Sequence, residues 1–138
     1  QRLFSYRHRF ALLRFCFARE LEQGGVILSC LERVLPKPSY TINTLTALTG
    51  LCGARPVVVV GADQARQIGD WCRSAELLND YEFVVFARGE SNAVFDERLR
   101  YNMISDFDQP LSATAIRAQL LPLGEAERYR LARNLLAN

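Results

Sequence analysis

Four consecutive valines, Val57 to Val60, closed by Gly61, constrain this chain more than any other segment. A run of β-branched residues without polar alternation suits a strand covered on both faces, as in a parallel sheet. Phe83 to Phe86 is a second run of the same kind, and Tyr101 to Phe107 alternates loosely enough to be a further strand. Between them lie helical patterns. Ser39 is placed to cap a helix from Tyr40 to Leu51, striped by Ile42, Leu45 and Leu48 and ended by Gly50 and Gly53. Gln64 to Ile68 reads as a helical turn, and Ser74 to Asn79 as a helix. Ser112 to Leu120 reads as a capped helix. Glu125 to Leu136 reads as a final helix with Tyr129, Leu131, Leu135 and Leu136 on its apolar side.

Towards the start, Phe10, Leu13, Phe17 and Leu21 recur at helical spacing, which predicts an amphipathic helix from Arg7 to Glu22, stopped by Gly24-Gly25. Val26 to Leu31 could add a short strand. Pro36-Lys37-Pro38 and the polar stretch from Gly89 to Arg100 read as loops. Strands alternating with helices predict a Rossmann-like α/β fold: a doubly wound, mostly parallel sheet with flanking helices, in one domain spanning residues 1–138.

Composition excludes several function classes. A net charge of +2 is too mild for a nucleic-acid or membrane-surface partner. No apolar run reaches the roughly 18 residues of a membrane span, and no signal peptide is visible. Cys16, Cys30, Cys52 and Cys72 form no C-x-x-C pair, so reduced thiols in a cytoplasmic protein are expected rather than a zinc or redox site.

Open α/β sheets bind ligands beyond the carboxyl ends of their strands. Asp63 follows the valine strand directly, and a carboxylate there can accept hydrogen bonds from ribose hydroxyls or merely cap the following turn. Trp71 is the only tryptophan; its indole can stack on a flat ring or fill the core. Ser112, Thr114 and Arg117 stand where a helix begins after Pro110. Free N–H groups, hydroxyls and a guanidinium at a helix start attract phosphate, although on these residues alone a simple capped helix with a solvated arginine is the commoner case. His8, the only histidine, sits among arginines and reads as a surface residue.

These segments resemble, in order, those of the bacterial nicotinate-nucleotide adenylyltransferases. Pro38 to Leu45 (PSYTINTL) is similar to that family's P-S-Y-T-x-x-T-L segment. Gly61-Ala62-Asp63 with Trp71 is similar to its G-x-D…W segment, Phe83 to Arg88 to its strand ending in arginine, and Leu111 to Arg117 to its I-S-x-T-x-I-R segment. The resemblance runs from Arg7 to Arg117.

It implies transfer of AMP from ATP to nicotinate mononucleotide, with ATP as a substrate and Mg2+ expected. It also implies that Trp71 stacks on the nicotinate ring and that the backbone near Thr41 and Cys72 binds the nicotinate carboxylate. Asp63 would hold the mononucleotide ribose, and Ser112, Thr114 and Arg117 would hold the ATP phosphates, with Arg117 as this chain's catalytic share. No protein metal ligand is assigned. The partners implied are small-molecule nucleotides, with a homodimer as one open assembly.

The chain departs from the family in places. Ala113 stands where a serine is common, and the G-G-T/S-F-D-P and H-x-G-H segments do not occur. The chain starts at Gln1, and the expectation is that those segments precede it in a longer protein. The alternatives are a non-catalytic nucleotide-binding relative, an adenylyltransferase for nicotinamide mononucleotide or another acceptor, and an unrelated α/β domain.

Overall fold

The structure, a computed structural model, describes residues 4–87, 94–105 and 113–136; at 113, 114, 135 and 136 it describes the backbone alone. The chain divides into two compact units, one formed by residues 30–109 and the other by residues 1–29 with 110–138.

The first unit holds the sheet. Strands β1 (Val58–Gly61), β2 (Phe83–Phe86) and β3 (Tyr101–Ile104) lie side by side in that order, all parallel. Val58 stands opposite Phe83, and Phe83 opposite Tyr101. The connection from β1 to β2 carries helical segments (Ala62–Ala65, Ile68–Asp70 and Ser74–Asp80), the kind of crossover that parallel neighbours use. This is the Rossmann-like α/β arrangement that the alternation predicts.

The core forms where the alternate residues of β1 and β2 meet the helices. Phe83 and Val85 are buried, and Val58 and Val60 pack against the same cluster. With them lie Ile42 and Leu45 of helix α4 (Thr41–Cys52) and Ala62 and Ala65 of the short helix α5 (Ala62–Ala65). Ile68 of a 3-10 turn (Ile68–Asp70) and Leu77 and Leu78 of helix α6 (Ser74–Asp80) complete it.

The expectation that the valine run is covered on both faces is corrected. Val57 and Val59, alternating with the core-packed Val58 and Val60, remain 54% and 65% exposed. β3 is an edge strand and is exposed along its length.

Helix α4 follows its predicted stripe but not its predicted cap. Its N-cap is Tyr40, with no side-chain cap bond, and the Ser39 hydroxyl accepts a hydrogen bond from the Lys37 ammonium instead. The same ammonium donates to the Glu32 carbonyl at 2.7 Å, which ties the Lys37–Pro38 turn, a cis peptide, to helix α3 (Leu31–Val34). At the far end Gly53 takes a left-handed conformation (φ 70°) and its N–H bonds back to the Thr49 carbonyl at 2.9 Å.

Val26 to Leu31 forms no strand. Ile27 is 88% exposed, and residues 26–30 carry no regular structure. An apolar run becomes a strand only when its backbone pairs with a neighbour, and none of β1, β2 and β3 pairs with this one.

The second unit is helical. The predicted helix from Arg7 to Glu22 is broken at Phe17 into α1 (Tyr6–Cys16) and α2 (Ala18–Glu22). The break invalidates a continuous stripe through Phe10, Leu13, Phe17 and Leu21: Leu13 and Phe17 are exposed, and Leu12 is the buried residue. Helices α7 (Ala113–Leu120) and α8 (Glu125–Leu136) fall where expected.

Helix α8 runs parallel to α1. His8 Nδ1 lies 3.0 Å from Glu125 Oε1, His8 packs on Tyr129, and one turn further along the Arg133 guanidinium lies 4.5 Å over the Phe15 ring. His8 thus serves packing between helices. No described helix is long and apolar enough to cross a membrane.

Candidate functional site

The residues expected at the site arise from three connections in the sheet unit. The first is the carboxyl end of β1. Gly61 ends the strand, buried Ala62 opens α5, and Asp63 follows with its side chain exposed. The Asp63 carboxylate leans back towards the strand end, so that a Cβ built on Gly61 would meet Asp63 Oδ1 at 2.6 Å. Its other oxygen accepts from Gln64 Nε2 at 3.4 Å.

The second connection carries Trp71 and Cys72. The 3-10 turn ends with the Trp71 N–H bonded to the Ile68 carbonyl at 3.0 Å, and Ile68 is wholly buried. Trp71 packs against the core cluster and is half-buried. Cys72 is exposed, and none of the four cysteines is joined in a disulfide.

Arg73 then adopts a left-handed conformation (φ 56°, ψ 43°), uncommon for a side chain with a Cβ. A paired guanidinium–carboxylate bond holds it there. Arg73 Nε donates to Glu76 Oε2 and Nη2 to Glu76 Oε1, each at 2.7 Å. This turn directs the chain from Trp71 into α6.

The third connection is the start of α4. Thr41 is the first helical residue, half-buried, and the Tyr40 carbonyl before it accepts the Asn43 and Thr44 N–H groups at 3.1 and 3.4 Å. Tyr40, extended (φ −93°, ψ 139°), leads into it.

What unites the three connections is their footing. Ile42 next to Thr41, Ala62 next to Asp63, and Trp71 itself all belong to or pack on the one hydrophobic cluster. The remaining expected residues lie in the helical unit. Arg117 is exposed on α7 and its carbonyl accepts the Leu121 N–H at 2.9 Å. Ser112 lies outside the described residues, as does Arg88, and Thr114 is described only as a first-turn backbone position of α7.

The loop before β3 contributes what residue patterns did not suggest. Phe95 packs on the cluster and meets Tyr101 edge-on, ring centroids 5.1 Å apart. Asp96 accepts hydrogen bonds from the Arg98 backbone N–H (3.0 Å), Nε (2.9 Å) and Nη2 (2.7 Å). These bonds, together with the guanidinium charge, lower its carboxyl from 3.8 to about 2 and raise Arg98 above its ordinary value. Asp96 Oδ2 lies near enough to Gly69 that a Cβ there would meet it at 3.7 Å, two residues before Trp71. The signal in the sequence was the Asp96-Glu97-Arg98 charge pattern, but nothing local gives it an address.

Two clefts are present elsewhere. One of about 280 Å³, lined by Arg55, Pro56, Val57, Asp80, Glu82 and Arg100, lies at the amino ends of the strands, away from Asp63. Its charges are largely matched internally: Arg55 pairs with Asp80 at 3.5 Å, and Arg100 donates to the Asn79 carbonyl at 2.7 Å. The other, about 400 Å³, lies on the helical unit beside Phe15, Tyr129, Arg130 and Arg133. Among the described residues no group of three or more His, Cys, Asp or Glu side chains is arranged to hold a metal ion.

No protein-family model matches the chain. Individual proteins do. A Chlorobaculum tepidum protein named "probable nicotinate-nucleotide adenylyltransferase" is 34% identical over 115 residues, 79% of this chain and 58% of its own length. A Helicobacter pylori protein of the same name is 41% identical over 109 residues, 74% of this chain and 62% of its own. The chain is a relative of the bacterial nicotinate-nucleotide adenylyltransferases. A Cytophaga hutchinsonii protein of that name agrees at 29% identity over 109 residues, 78% of this chain. The chain spans somewhat over half the length of the curated adenylyltransferases it matches.

Proposed function

We propose that this chain serves adenylyl transfer from ATP to nicotinate mononucleotide, giving deamido-NAD and pyrophosphate. The observation that carries the reading is that Asp63 directly follows the carboxyl end of the parallel strand β1, while Trp71 packs on the cluster that also holds Ile42 beside Thr41 and Ala62 beside Asp63. Similarity to proteins bearing the adenylyltransferase name supports it independently.

In this reading the half-buried indole of Trp71 presents its free part to the nicotinate ring. The first-turn N–H groups by Thr41 and the backbone at Cys72 receive the nicotinate carboxylate. Asp63 accepts from the ribose hydroxyls. The start of α7, with Ser112, Thr114 and Arg117, receives ATP phosphates; its first described turn carries no acidic residue to oppose them.

The mononucleotide phosphate oxygen bonds to the α-phosphorus of ATP, and the bond from that phosphorus to the bridging oxygen breaks. Pyrophosphate leaves with the electron pair. Such a step needs alignment and charge neutralisation more than covalent help. Magnesium, which is commonly carried by substrate phosphates, would supply further neutralisation.

The test is steady-state kinetics of pyrophosphate release by the protein and its Trp71→Ala variant. Losing one stacked ring costs on the order of 1–3 kcal/mol. The KM for nicotinate mononucleotide is therefore expected to rise by roughly 5- to 150-fold, with the KM for ATP within about twofold. An equal rise for both substrates would refute the assignment of Trp71. Preference for nicotinamide mononucleotide would change the acceptor.

A further inference from the structure

We infer that Gly61 is a positioning residue for Asp63: the hydrogen it carries in place of a side chain leaves the space into which the Asp63 carboxylate leans. The inference rests on the reading of Asp63 as a substrate ligand only for its functional consequence.

Gly61 has φ −77° and ψ 157°, ordinary extended backbone that any residue adopts. Conformational freedom is therefore not what requires glycine here. Nor does the surrounding core exclude a methyl group: among the described residues, chain neighbours aside, the atoms that a Cβ at Gly61 would meet within 4 Å are Asp63 Oδ1 at 2.6 Å and Cγ at 3.8 Å. A separation under 3.0 Å is one that real Cβ atoms essentially never show.

The backbone around this contact is held. Gly61 stands opposite Phe86 in the parallel register, and Ala62 is buried between the two residues in question. Relief of a clash would fall on the Asp63 side chain, which is exposed and held by one long bond from Gln64. Gly61→Ala is thus expected to rotate the carboxylate away from the strand end while leaving the sheet in place. A ribose ligand would then lose a hydrogen bond to a charged acceptor.

The experiment is a double-mutant cycle between Gly61→Ala and Asp63→Ala. Binding of nicotinate mononucleotide and of ATP is measured by calorimetry, and the Asp63 χ1 angle by NMR couplings in the wild type and in Gly61→Ala. Expected are a changed χ1 and mononucleotide binding weaker by about tenfold, with ATP binding within about twofold. In the Asp63→Ala background the same substitution should change binding by less than about twofold.

An unchanged χ1, or equal losses in the two backgrounds, overturns the inference. Should Gly61→Ala fail to fold, recovery of folding in the double variant supports it, and failure of both overturns it. If the wild type does not bind nicotinate mononucleotide, the proposed function falls, and the χ1 measurement still decides the positioning role.

Discussion

The sheet unit and the helical unit are built on different terms. In the sheet unit, strands and helices drawn from residues 42–99 share one buried cluster, with Phe83, Ile68, Leu77 and Val85 at 1% exposure or less. In the helical unit the buried side chains described are Leu12, Leu120 and Ala132, and between α1 and α8 polar and aromatic pairs carry much of the contact: His8 with Glu125, Arg133 with Phe15. Apolar burial is worth roughly 25 cal/mol per Å2, whereas an exposed ion pair contributes about 0–1 kcal/mol. The difference teaches where the fold tolerates change. Asp63 and Trp71 stand on the part with the deeper core, and Arg117 on the part with the shallower one.

Truncating the core should show the largest effect. Phe83→Ala removes a side chain of 1% exposure at the centre of the cluster, and about 3–5 kcal/mol of stability should be lost. Chemical denaturation, with hydrogen exchange at β2 amides to localise the loss, measures it. Leu12→Ala in α1 should cost less, about 2 kcal/mol, because few other described side chains are buried around it. Hydrogen exchange at α1 amides should register that loss while β2 amides stay protected. A cost for Leu12→Ala equal to that for Phe83→Ala would erase the contrast.

The smallest effect expected is that of acid on the loop at Asp96. Its folded carboxyl is lowered from 3.8 to about 2, so the Arg98 bonds contribute in full above the unfolded value and are lost as pH falls from 3.8 through about 2. Carboxyl chemical shifts should place the midpoint of Asp96 near the lower figure, and Asp96→Asn should remove the dependence across that window. A midpoint at the ordinary carboxylate value would show the pair to be solvent-screened.

Much of the fold could be read directly. Helix α8 runs from Glu125 to Leu136 as its spacing predicts, and the Ile42 and Leu45 stripe of α4 is buried as expected. β2 falls on Phe83–Phe86. These features are local: a period of 3.6 or an unbroken β-branched run states its own conformation. The place of Gly61 and Asp63 was readable for the same reason: they directly follow the strand, at the end where open parallel sheets bind ligands.

Other features depended on partners distant in the chain. Val26–Leu31 had the composition of a strand but pairs with none of the three described strands. Ser39 had the chemistry of a cap, and Lys37 took its hydroxyl. Phe17 continued a helical period across a point where the helix ends.

What the sequence by itself determined, then, was the alternation of strands and helices, the buried stripe of α4 and the position of Asp63 directly after β1. Tertiary structure alone decided which face of the valine strand is covered, that the Asp63 carboxylate occupies the space over Gly61, and that Asp96 lies against Gly69. The physical reason is that period and propensity act within a few residues. Burial and side-chain competition are settled only when segments tens of residues apart meet.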